Sequence, residues 1–126
     1  MTYTKHSSRS PEEVETRLTA AVAAHKFGIL HIHDLRQTLD SKGIQLGSEC
    51  KVYDVCNPQA AYKALHGDMR LSAILPCRIS IFSAEAGSVI ATVKPTSLFQ
   101  AAGLQGDPSL PAEVERELLA IIDEAA

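Results

Sequence analysis

Apolar residues recur at three- and four-residue spacing through Val14, Leu18, Ala21 and Val22, which predicts an amphipathic helix. Ser10-Pro11-Glu12-Glu13 opens it with an N-cap, a proline at the first helical position and a capping-box glutamate, and Gly28 lies just past its end near Lys26. Upstream, Tyr3 to Ser8 fits a short edge strand. Gly28 to His33 reads as a strand that meets a second helix at Asp34, with Gln37 in the capping-box position, Gly43 as the stop, and Leu35 and Leu39 on the buried side. After a loop with Gly47 and Ser48, Cys50 to Val55 reads as a third strand. Cys56-Asn57-Pro58 then ends that strand and caps a helix running to about His66, with Ala61, Tyr62 and Leu65 inward and Gly67 terminating it.

Two alternating runs follow, Pro76 to Phe82 and Val89 to Lys94, joined by the polar stretch Ser83 to Ser88; this is the clearest hairpin in the chain. Pro95 and Thr96 stop it, a short helical segment lies around Leu98 to Ala101, and Gly103, Gly106 and Pro108 mark a loop. Val114, Leu118, Ile121, Ile122 and Ala125 form the apolar stripe of a last helix. Helices separate the early strands, whereas the hairpin is antiparallel. The expected fold is α+β: one compact domain over residues 1–126, with a mixed, mainly antiparallel sheet covered by helices on one face.

The chain has 126 residues, 45% of them hydrophobic and 21% charged, enough to bury roughly two-thirds of the unfolded surface without staples. Its formal net charge of −3 comes with no Lys/Arg cluster, which argues against a nucleic-acid partner. No apolar run approaches the roughly 20 residues of a membrane span, and the polar opening Met1 to Ser10 lacks the apolar core of a secretory signal, so a cytoplasmic protein is expected. With three Phe, three Tyr and no Trp, an aromatic stacking platform is not expected either. The acidic residues concentrate between Glu113 and Glu124, which reads as the solvated face of the last helix. No Gly-rich loop follows a strand, so a nucleotide cofactor lacks its usual signature.

Candidate chemistry lies in a few side chains. His31 and His33, two apart on a strand, face the same way about 6.6–7 Å apart. With regular alternation they share a surface with Ile29, while Leu30, Ile32 and Asp34 take the other face, the two aliphatics toward the core. Cys50, Cys56 and Cys77 form no Cys-x-x-Cys pair, which excludes a redox site or zinc ribbon on thiol spacing. Cys56 precedes the Asn57 cap, where backbone N–H groups and the helix dipole favour a thiolate; the competing reading is a small buried strand residue. Cys77 shares a face with Leu75, Ile79 and Ile81, and Arg78 opposes it, able to hold an anion or pair with a carboxylate. Cys50 receives no role, and Asp54 on the same side is solvated or paired. His6, His25 and His66 read as surface or helix-end residues, the last two favoured when protonated. No nucleophile elbow, His-Glu-x-x-His helix or paired-carboxylate spacing is present.

The segments Lys26 to Leu35, Cys56 to Ala61 and Leu75 to Ile79, taken in order, resemble the family catalogued as domain of unknown function number 302, and the resemblance covers nearly the whole chain. It implies a compact α+β domain, often dimeric, and no settled reaction. The family's Cys-Asn and Pro-Cys motifs map onto Cys56-Asn57 and Pro76-Cys77, and the His-x-His-Asp form onto His31, His33 and Asp34. Members differ at the two histidine positions, so a histidine-dependent activity would belong to one branch. The leading expectation is a small binding protein whose pocket for a metal ion, haem or a sulfur species is built from His31, His33, Cys56, Asn57, Cys77 and Arg78, with His31, His33 and Cys56 as metal ligands. The alternative is a homodimeric interaction module that buries the histidine face and keeps its cysteines in the core. A thiol enzyme with Cys56 as nucleophile and His31 or His33 as base ranks third.

Overall fold

The computed structural model describes residues 1–104 and 107–126. Strands β1 (Thr2–Ser7), β2 (Gly28–Asp34), β3 (Cys50–Cys56), β4 (Cys77–Ala84) and β5 (Gly87–Val93) form one sheet in the order β1-β5-β4-β3-β2, antiparallel at every pairing. This is the expected α+β class. Helices α1 (Pro11–Ala24), α2 (Leu35–Asp40), α3 (Pro58–Gly67), α4 (Pro95–Ala102) and α5 (Ser109–Ala125) occupy the connections and the C-terminal end, and a 3-10 turn spans Met69–Ala73.

Strand alternation divides the sheet into two faces. Tyr53, Val55, Ile79, Ile81 and Ile90 point to the helical layer and pack with Val14, Leu18 and Val22 of α1 and Leu118, Ile121 and Ile122 of α5. Val52, Asp54, Arg78, Ser80 and Ala91 alternate to the open face. A second cluster, centred on Ala64, Leu71 and Leu110, lies where α3, the 3-10 turn, α4 and the start of α5 meet.

The predicted caps hold. Ser10, Asp34 and Asn57 each accept backbone N–H bonds at the starts of α1, α2 and α3. Helix α1 ends differently from expectation: Lys26, at φ 61°, takes the left-handed position, and Phe27 N–H and Lys26 N–H bond to the carbonyls of Val22 and Ala23. Gly28 is the first residue of β2, as its strand reading expects, and the left-handed position before it falls to Lys26.

Other departures are side-chain placements. In β2, Ile29 pairs with Val55 and His31 with Asp54, so Leu30 is an extra residue in the ladder. That bulge places Ile29 against the core and His31 on the opposite face, which corrects the expectation that they share one. Leu30 and Ile32 are exposed and not core, because β2 is a sheet edge. Helix α2 buries none of its residues, and Leu35 is exposed. Tyr62 lies outside and stacks on His66, while Ala64 is the buried residue of α3. The hairpin strands extend further than expected, leaving only residues 85–86 between them. The 3-10 turn has no counterpart in the hydrophobic pattern; Asp68 caps it by accepting from Arg70 N–H. The proposed loop marker Gly106 lies outside the described residues.

The acidic face of α5 is paired and not merely solvated. Asp123 accepts from Tyr3 Oη and meets Lys5, Glu115 accepts from Thr96, and His25 at the end of α1 is held between Glu117 and Glu124. The hydrogen bond with Glu117, then that with Glu124, raises the His25 pKa above its ordinary 6.5. A raised folded-state value means that this stabilisation is complete below pH 6.5 and is lost as pH rises through the folded value. Between pH 6 and 8.5, wild-type melting temperature should fall relative to that of His25→Gln. Parallel melting curves across that window would remove His25 as the coupling group.

Candidate functional site

Two separate sites arise from the sequence-predicted residues. The first lies on the open sheet face. Asp54, at the centre of β3, stands opposite His31 on β2 and Arg78 on β4. His33, one diagonal step along the ladder, reaches Asp54 Oδ2 through Nε2 at 2.8 Å. Arg78 Nε lies 3.4 Å from Oδ1, which is buried and makes no hydrogen bond. The His31 and His33 rings meet edge to face with centroids 4.4 Å apart. A mostly buried carboxylate thus stands between a guanidinium and an imidazole, with a second imidazole alongside.

The second site is a pocket of about 260 Å³ between the two hydrophobic clusters. The ends of β3 and β4 bring Cys56 and Cys77 to it, α3 adds Ala61 and Ala64, and Phe99 of α4 and Leu110 of α5 close the far side. Its lining is nearly all apolar. Asn57 also lines it, but its Oδ1 is occupied by the N–H groups of Gln59 and Ala60.

The thiols behave as this environment dictates. Burial pushes the Cys56 pKa up, opposite to the shift expected from its place before a helix. The cap supplied by Asn57 already uses the first amides, and apolar walls disfavour the anion. Cys77 is pushed up to about 11, first by burial and then by the nearby Cys56. All three cysteines are free, and Cys50 is raised by burial and by Asp34. At neutral pH the pocket wall carries protonated thiols.

Cysteines and histidines do not converge. Among the described residues no group of three or more His, Cys, Asp or Glu side chains is gathered to hold a metal ion, which corrects the ligand set of His31, His33 and Cys56. Cys56 serves the apolar pocket, whereas the bulge and strand alternation send both histidines to the other face. Nor does a described hydrogen bond join a thiol to an imidazole, as a thiol–base pair would require. Phe27, Ala60 and Leu75 lie in the three segments that carry the family resemblance but not among the residues expected at the pocket, and Phe99 and Leu110 lie outside those segments; spacing cannot show that these five distant positions meet.

Among the described residues no helix is long and apolar enough to cross a membrane. A family model described as "Domain of unknown function DUF302" matches residues 3–125. The chain is also similar to an uncharacterized conserved DUF302 protein from Bacillus stearothermophilus, known from a crystal structure, with 27% identity and a TM-score of 0.91 over 99% of this chain and 98% of that one. No curated protein matches it.

Proposed function

Since the chain belongs to the DUF302 family, whose function is unknown, its role has to be read from its own cavities, and we propose that it binds a small, uncharged, apolar molecule in the pocket lined by Cys56 and Cys77. The observation that carries this reading is an apolar opening of about 260 Å³ between packed clusters. An enclosed apolar cavity of about 150 Å³ binds benzene, so this opening, apolar and partly open to solvent, has room for a bicyclic aromatic or a short aliphatic chain whose edge faces water. Neutral, polarisable thiols favour a sulfur-bearing or aromatic group against them and disfavour an anion.

Titration with indole and with thioanisole, followed by amide NMR, tests the reading. Amides of residues 55–65 and 71–77 should shift saturably, and Ala61→Phe, which fills the opening, should remove the effect. Absence of shifts, or the same shifts in Ala61→Phe, would overturn it.

The homodimeric module remains a second reading, supported by the sheet face that α1 and α5 leave open, where Val52, Ala91 and the exposed Val93 alternate with polar residues. Sedimentation at micromolar concentration decides between a dimer and a single monomeric species.

A further inference from the structure

The open sheet face carries a groove of its own, separate from the thiol pocket except for a shared wall at Leu75 and Pro76. Val52, Ser80 and Ala91 pair side by side across β3, β4 and β5 and make its floor. Ile74 and Leu75, just after the 3-10 turn, and Leu98 of α4 make an apolar wall. The groove measures about 590 Å³ and is open to solvent. Arg78, two residues before Ser80 and so on the same strand face, is the only charged side chain among its described lining residues. We infer that this groove binds a small amphipathic monocarboxylate, with its alkyl chain against the apolar wall and its carboxylate on the Arg78 guanidinium.

The state of the guanidinium favours an acid over a neutral ligand. Arg78 Nε lies 3.4 Å from Asp54 Oδ1, yet no hydrogen bond joins them, and among the described residues none engages another guanidinium N–H. A guanidinium offers five donors in a planar fork that matches a carboxylate bidentately. Asp54 does not use up that capacity: it is mostly buried, and its Oδ2 is already bonded to His33 Nε2 at 2.8 Å, whereas the Arg78 side chain is 69% exposed. A ligand carboxylate therefore reaches the fork from the solvent side. The apolar wall selects further, because it offers nothing to a bare inorganic anion and buries the methylenes of an alkyl chain. Covering the floor with that chain also excludes water beside Arg78, which strengthens the ion pair.

Titration of the reduced protein with octanoate at neutral pH, followed by amide NMR, tests this. Amides of Val52, Ser80, Ala91 and Leu98 should shift saturably, acetate should not reproduce the shifts at the same concentration, and octan-1-ol should bind more weakly. Arg78→Gln should weaken octanoate binding about 10-fold or more and leave that of octan-1-ol unchanged. Arg78→Lys, which keeps the charge without the fork, should lose less. The Arg78→Gln/Asp54→Asn double variant, in which the neighbouring carboxylate is neutral too, should be as weak as Arg78→Gln. Arg78 is at the surface, and circular dichroism of each variant checks that the fold is intact. Absence of shifts, equal octanoate affinity in wild type and Arg78→Gln, or recovered affinity in the double variant would overturn the site. So would a dimer that closes this face to octanoate. Ala61→Phe should bind octanoate as wild type does; loss there would place the acid in the thiol pocket instead. The indole titration reads that other opening, so the two proposals fail separately.

Discussion

Replacing Gly87 with alanine should destabilise the protein by about 3 kcal/mol, lowering the melting temperature by roughly 10 °C. Gly87 begins β5, pairs with Ala84 across the hairpin and has φ 137°, a conformation in which side-chain-bearing residues are strained. Space compounds the strain. A Cβ built there would stand 2.1 Å from the Ser7 carbonyl oxygen and 2.8 Å from Ser8 C, both rigid backbone atoms. Relief requires the end of β1 to move away from β5, where Ser7 pairs with Ser88 and the buried Ser88 hydroxyl donates to Arg9 O at 2.6 Å. Gly67→Ala is the control: a Cβ there meets nothing within 4 Å and the residue has no positive φ, so its stability should change little. Urea denaturation of the two variants checks the contrast, and equal midpoints would show that the turn adapts.

Leu118→Ala should cost about 3–4 kcal/mol, within the range seen when a fully buried leucine is truncated. Leu118 has no exposed surface and lies in the layer where α5 packs on α1 and the sheet. Its neighbours Val14, Leu18, Ile121 and Ile122 come from two helices held to the sheet, so they cannot collapse freely into the space left behind. Glu113→Ala, on the exposed side of the same helix, should stay within about 0.5 kcal/mol of wild type. A loss at Leu118 below 1.5 kcal/mol, measured by the same denaturation, would mean that the α1–α5 layer is more plastic than its burial implies.

Local chemistry made much of the fold legible. Caps at Ser10, Asp34 and Asn57 and prolines at first helical positions act within a few residues, so they set where α1, α2 and α3 begin. The stripe through Leu118, Ile121, Ile122 and Ala125 likewise identifies the buried face of α5. Alternation alone does not place the side chains of β2. One extra residue at Leu30 reversed the faces on either side of it, and only pairing with β3 reveals that residue as extra. Tyr62 and Leu35 fit apolar stripes yet lie exposed, because no layer covers those positions.

The sequence by itself determined the α+β class, most of the helix starts, the hairpin and the set of residues with reactive groups, since each depends on spacing or on neighbours a few positions away. Tertiary structure alone decided which reactive groups meet. It brought Cys56 and Cys77 into one apolar pocket and raised their pKa values, while it gathered His31, His33, Asp54 and Arg78 on the other face. The reason is that burial and strand register are long-range quantities: the dielectric around a thiol depends on α4 and α5, and the partner of an imidazole depends on the strand laid beside it.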